Sequence, residues 1–184
     1  GVRLAALAQP MADAGLDQVN ISIDSLDPEK FRQITRRGDL DEVWEGIAEA
    51  EAAGLRPIKI NCVVTRGFND PDVVDLARLT LVHSWDVRFI ELMPIGNGGL
   101  VDESWRERFV TAQEIRQRIE EALGPLEPAK LSPGGGPART YRLAGARGTL
   151  GFITPISEHF CYHCNRLRLT ADGHLRPCLM SEHE

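Results

Sequence analysis

Three of the chain's four cysteines fall within eighteen residues, in "CYHCNRLRLTADGHLRPC" (161–178). The spacing is Cys161-x2-Cys164-x13-Cys178. Two thiolates at x2 spacing can bind one metal centre together, and the third returns after a turn. Two kinds of centre compete for such a set. Zinc needs a fourth ligand, and His159, His163, His174 and His183 are all close in sequence. An iron–sulfur cluster can use three cysteines and leave one iron open to a ligand. Spacing alone leans to zinc, because CxxC is common there. Free buried cysteines are the plain alternative.

The arginines inside the motif add a second chemistry. In "NRLRL", strand alternation puts Arg166 and Arg168 on one face and Leu167 and Leu169 on the other. Guanidiniums beside a metal site read as clamps for phosphate or carboxylate. A purely structural zinc knuckle does not need them. The fourth cysteine, Cys62, falls mid-strand on an apolar face and reads as a small core residue.

The elements that must position these residues alternate. "VNISID" (19–24), "IKINCVV" (58–64) and "DVRFIEL" (86–92) read as strands, short, rich in β-branched or aromatic residues and bounded by turn signals. Helices fall between them. "DPEKFRQI" has Asp27 as N-cap and Pro28 at the first helical position. "DLDEVWEGIAEAEAAG" opens with Asp39 and Glu42 in capping-box spacing, and Gly54 suits the left-handed residue after its end. "NDPDVVDLARLTLVH" starts similarly at Asp70 and Pro71. The β-α-β-α-β pattern predicts parallel strands joined by crossover helices. Thr111 and Glu114 begin one more helix, "PLEPAKLSPGGGPA" reads as a mobile loop, and "GTLGFITP" and "RLRLTADGHLRPC" read as β segments that leave the α/β rhythm.

Alternation also assigns faces. Val19, Ile21, Ile23, Ile58, Ile60 and Cys62 share the side that helices should cover. Asn20, Ser22, Asp24, Lys59, Asn61 and Arg88 take the other side. A closed α/β barrel normally fills its interior with Val, Ile and Leu. An interior carrying Lys59 and Arg88 must pair those charges, because burying one alone costs several kcal/mol. An anionic ligand would pair them; the structural alternative is neutralisation by Asp24 or Glu91.

Composition bounds the rest. The chain has 184 residues, a net charge of −6 and a pI of about 5.4. That balance argues against a general nucleic-acid binder and leaves room for a local basic pocket. No apolar run approaches the roughly 18 residues of a membrane span. No signal-peptide pattern opens the chain, and the cysteines are too few for a disulfide framework, so a cytoplasmic setting is the simplest reading.

"VNISIDSLDPEKF", "KINCVVTRGFND", "VRFIELMPIGN" and "FCYHCNRLRLTADGHLRPCLM" together resemble the GTP 3′,8-cyclase family of molybdenum cofactor biosynthesis, which belongs to the radical S-adenosylmethionine (SAM) enzymes. The resemblance runs through nearly the whole chain and is most specific in the tail. It implies an α/β fold, a partial barrel of the radical SAM type, an incomplete (β/α)6, with a C-terminal β-rich extension. Residues 1–110 would be the later half of that barrel and 111–184 the extension with the cluster motif. It implies that Cys161, Cys164 and Cys178 hold a [4Fe–4S] cluster whose open iron meets the guanine of GTP. Ser22 and Met93 match positions that contact SAM. Lys59, Arg166, Leu167 and Arg168 match GTP-contacting positions, and Arg88 matches an arginine of the active cavity, expected to serve catalysis. Implied partners are GTP, SAM and, for the product, the downstream cyclic pyranopterin monophosphate synthase; a homodimer stays open. The family's N-terminal CxxxCxxC, which binds the second [4Fe–4S] cluster, is absent from these residues, as is its C-terminal Gly-Gly. The chain is therefore expected to be a fragment, the GTP-binding portion, inactive alone. The rival reading is a zinc-stabilised nucleotide-binding module without radical chemistry.

Overall fold

A computed structural model describes residues 1–95, 104–130, 136–161, 164 and 166–180. Helix α1 (Leu4–Asp13) leads into strand β1 (Val19–Ser22), followed by α2 (Pro28–Thr35) and α3 (Leu40–Ala52). Strand β2 (Ile58–Val64), α4 (Val73–Val82) and β3 (Asp86–Glu91) complete the expected alternation. Then come α5 (Trp105–Arg108), α6 (Ala112–Leu123), β4 (Leu126–Pro128), β5 (Arg139–Leu143) and β6 (Thr149–Ile153). A separate two-stranded sheet, β7 (Arg168–Leu169) and β8 (Leu175–Arg176), carries the tail.

The main sheet has the order β1-β2-β3-β6-β5-β4. Strands β1, β2, β3 and β6 run parallel, while β5 and β4 continue antiparallel to one edge. Two expectations change here. Part of the stretch read as a loop is strand β4, an edge position that tolerates Pro128 because the missing N–H faces away from a partner. And β6 does not leave the α/β arrangement: it pairs parallel with β3, so one sheet runs through residues on both sides of position 110.

Local signals explain the helix starts. Asp27 accepts hydrogen bonds from the backbone N–H of Glu29 and Lys30 at 2.8 and 3.1 Å, with Pro28 at the first helical position. Asp39 accepts from Asp41 N–H at 2.9 Å, one residue earlier than capping-box geometry would give. Thr111 accepts from Glu114 N–H at 3.1 Å. After α3 the chain reverses at Gly54, whose φ of +78° few side chains tolerate. Ahead of α4 the expected helix start is a short 3₁₀ turn, Asp70–Asp72.

The core lies between the sheet's apolar face and the helices. Val19, Ile21, Ile23, Ile58, Ile60, Cys62, Val87, Phe89, Leu150 and Phe152 are all buried. They pack in one cluster with Val43 and Ile47 of α3, Leu76 and Ala77 of α4, and Ile115 and Ile119 of α6. Cys62 sits fully inside it, and burial, reinforced by the charges of Asp24 and Asp72, pushes its thiol well above 9.0. That is the inert core cysteine the alternation predicted.

Asp70 ties α6 to this layer. Its carboxylate accepts from Arg118 at 2.8 Å and from Gly67 N–H at 2.7 Å. Burial works against its charge, but Arg118 and Gly67 outweigh it and hold the carboxyl below its ordinary 3.8. A depressed carboxylate stabilises the fold above its unfolded pKa, and that contribution is lost as pH falls through the folded value. Asp70→Asn should therefore lower stability at neutral pH and flatten the loss below about pH 3.8. Urea titrations at neutral and acid pH check this. Parallel pH curves for variant and wild type would remove Asp70 from the acid response.

Candidate functional site

The polar face of the sheet is built in rows, because register partners stand side by side across parallel strands. One row reads Asn20, Lys59, Asp86, Thr149; the next reads Ser22, Asn61, Arg88, Gly151. Lys59 is 1% exposed and Arg88 8% exposed, so both cations are held inside the protein. Lys59 Nζ donates to Gln18 Oε1. Burial pulls the Lys59 ammonium below its ordinary 10.5; the charge of Arg88 adds to this and that of Asp86 opposes it. Burial lowers the Arg88 guanidinium from its ordinary value, with the charge of Asp86 opposing and that of Arg166 adding to the effect.

The expected neutralisers do not serve. Asp24 accepts from Val63 N–H at 2.7 Å, and burial raises its carboxyl from 3.8 despite that bond. Glu91 points to the other side of β3. It accepts from the backbone N–H groups of Ala112, Ile156 and Ser157, each at 3.0 Å, and from the Ser157 hydroxyl. The carboxylate that faces Lys59 and Arg88 is Asp86, 6% exposed, whose Oδ1 accepts from Thr149 Oγ1 at 2.7 Å. Alternation carried that signal, since Asp86 is two residues from Arg88 and must share its face.

Arg166 arrives from the tail. Its charge acts on Arg88, and its Nη2 lies 3.8 Å from where a Cβ on Gly136 would stand. Its guanidinium carbon sits 5.9 Å from the centre of the Phe160 ring. The structure thus brings Lys59, Arg88 and Arg166, from two strands and the tail, into one electrostatic neighbourhood. Arg168 lies on β7, in register with Arg176 on β8. Leu167 is 69% exposed. Ser22 ends β1 with its side chain exposed. Met93 follows β3, half-buried, and its carbonyl accepts from Ile95 N–H at 2.8 Å.

Cys161, Cys164 and Cys178 are exposed free thiols. The x2 spacing closes a turn, with Cys164 N–H donating to Cys161 O at 3.2 Å. Cys178 Sγ accepts from Met180 N–H at 3.4 Å. Donor type and exposure suit a thiolate-held centre. Among the described residues no three His, Cys, Asp or Glu side chains are drawn close enough to ligate one metal ion. His174 approaches Asp172 at 3.2 Å, and His159 is exposed; His163 and His183 lie outside the described residues.

A further feature fits an incoming ligand. Asn61 stands between Ser22 and Arg88 in the second row. Its Oδ1 is buried without a hydrogen-bond partner among the described residues. A dry acceptor costs about 1–3 kcal/mol, and a donor-bearing ligand on this face would relieve it. Among the described residues no helix is long and apolar enough to cross a membrane.

Comparison with known proteins agrees with the sheet and its tail. Residues 1–80 match the Radical SAM superfamily, and residues 85–184 match the family described as Molybdenum Cofactor Synthesis C. A protein of Moorella thermoacetica named GTP 3′,8-cyclase is 52% identical over 97% of this chain and 54% of its own length. Those named GTP 3′,8-cyclase in Heliobacterium modesticaldum and Trichormus variabilis are 53% and 50% identical, over 100% and 99% of this chain and 55% of their own lengths. The chain spans about half the length of the curated relatives it matches. With the family model covering more than half of its residues and such relatives along nearly all of them, the chain belongs to the GTP 3′,8-cyclase family of molybdenum cofactor synthesis, within the Radical SAM superfamily.

Proposed function

We propose that this chain is the GTP-binding portion of a GTP 3′,8-cyclase, converting GTP to (8S)-3′,8-cyclo-7,8-dihydroguanosine 5′-triphosphate. One observation carries the reading. Lys59 and Arg88 lie buried on the polar face of a parallel sheet, with the charge of Arg166 acting on Arg88 from the tail that carries three thiols. On this reading the parallel strands are part of an incomplete (β/α)6 barrel, and the polar face lines its cavity.

Lys59 and Arg166 bind the triphosphate, with Arg168 and the Leu167 segment closing over it from the tail. Charge-assisted bonds to phosphate oxygens are short and about twice as strong as neutral ones. Arg88, one row beyond Lys59, is aimed at the reacting part of the nucleotide. Ser22 and Met93, at or beyond the C-terminal ends of β1 and β3, bind SAM. Cys161, Cys164 and Cys178 would hold a [4Fe–4S] cluster, which would supply a binding point for the guanine. SAM, when cleaved, supplies the radical that opens the C3′ to C8 bond-forming chemistry. The chain's own part is to bind GTP, orient its ribose and base, and exclude water from the buried face.

The metal tests this reading against a zinc-stabilised binding module. Anaerobic reconstitution with iron and sulfide should give about four irons per chain and a brown protein. Cys164→Ala should lose most of that iron. Colourless protein with stoichiometric zinc and no iron uptake would establish the zinc module in its place.

A further inference from the structure

The polar face sets Lys59 and Arg88 around one buried carboxylate, Asp86, to which the reading above gives no part. Lys59 and Thr149 are its register neighbours on the two sides. Thr149 Oγ1 donates to Asp86 Oδ1 at 2.7 Å and anchors it from β6. The Asp86 charge favours the ionised form of both Lys59 and Arg88, against burial and against their mutual repulsion. Gly151 completes the arrangement. A Cβ there would stand 3.1 Å from Arg88 Cγ and 3.2 Å from Ala138 Cβ, so glycine leaves the space through which the Arg88 stem runs.

We infer that Asp86, anchored by Thr149, is the positioning residue of the anion site, holding Lys59 and Arg88 side by side for one phosphorylated ligand. The inference rests on the GTP reading and deepens it. Charge counting alone makes the opposite prediction: removing a carboxylate from a cationic face should strengthen anion binding. Positioning reverses the sign. Without Asp86 two neighbouring buried cations have no fixed counter-charge, so they turn apart, or Lys59 gives up its proton. Among the described residues the charges acting on Lys59 include Asp86 and Arg88 from β3, and that of Arg166 from the tail acts on Arg88. Its register neighbour on β1 is neutral Asn20, and Gln18 just before β1 is neutral too. Thr149 of β6 is also neutral.

The test is GTP affinity by equilibrium dialysis, from about pH 7 to about pH 10, so that the lysine range is crossed. The proteins are reconstituted wild type, Asp86→Asn, Thr149→Val and Thr149→Ser. Comparison with wild type at each pH cancels the titration of GTP itself. Asp86→Asn should weaken GTP about tenfold at neutral pH and move the alkaline loss of binding to lower pH. Thr149→Val should do the same more weakly, and Thr149→Ser should keep wild-type behaviour. Equal or tighter binding by Asp86→Asn, with the alkaline midpoint unmoved, overturns the inference. A lowered melting temperature with unchanged affinity and midpoint assigns Asp86 a structural role only, which also overturns it. If Asp86→Asn does not fold, Thr149→Val decides: wild-type affinity and pH profile there overturn the inference. The wild type separates the two levels. If the reconstituted wild type shows no saturable GTP binding, the GTP reading fails. If it binds GTP and Asp86→Asn binds equally well, only the positioning role fails.

Discussion

Lys59→Met should weaken GTP binding by about tenfold or more while iron content and melting temperature stay near wild type. Methionine keeps the unbranched stem and most of the volume, so the packing beside β1 and β3 is retained. What it removes is the charge. A hydrogen bond to a charged group contributes about 1.5–3 kcal/mol, and about 1.4 kcal/mol is one decade of affinity. Lys59 is 1% exposed, so its charge is screened little by solvent and acts at close range. Stability should not fall with affinity, because Asp86 keeps Arg88 and Thr149 as partners and the repulsion between two neighbouring buried cations is removed. Equilibrium dialysis with GTP, beside iron analysis and a melting curve, makes the measurement. Wild-type affinity in a folded, iron-loaded variant would take Lys59 out of the site.

The largest stability effect is expected at Glu91. This carboxylate is 1% exposed and collects four donors: the backbone N–H groups of Ala112, Ile156 and Ser157, and the Ser157 hydroxyl. It joins the end of β3, the first turn of α6 and the segment after β6. A negative charge at the start of α6 also suits the helix dipole. Glu91→Ala leaves those donors dry, and each unsatisfied buried group costs about 1–3 kcal/mol. The costs are not additive, so a loss of about 3 kcal/mol or more is expected, roughly a 10 °C fall in melting temperature. Glu91→Gln keeps the shape but turns two donors toward donors, and should fall between. Ile156 and Ser157 precede the cysteine segment, so Glu91→Ala should also retain less iron after reconstitution. A loss under about 1 kcal/mol in urea titration would show that the 155–157 segment is held by other contacts.

The parallel strands, the helix starts and the polar face were legible in the residues alone. Ile58–Val64 came out as a strand from composition and bounding turns. Asp27, Asp39 and Thr111 mark helix starts through bonds that reach two or three residues ahead. Faces follow from the two-residue period of a strand, and Lys59, Arg88 and Ser22 fell on one side by that rule. The family was legible in another way, as a resemblance carried by four stretches together and most specific in the tail, where spacing alone leaned to zinc.

Tertiary structure decided what depends on register and return paths. Alternation puts Asp24 and Asp86 on the face of the cations and Glu91 on the other, but leaves Asp24 and Asp86 equal. Only the pairing of Lys59 with Asp86 across β2 and β3 selects the one that faces the cations. Arg139–Leu143 pairs with β6 and in turn offers Leu126–Pro128 an edge to build on, a pairing that overrides the local loop signals of the latter stretch. The charge of Arg166 acts on Arg88 although 78 positions separate them in the chain, and no periodicity records that approach. The identity of the site's side chains is thus local information, while their choice of partner is set by which strands lie next to each other.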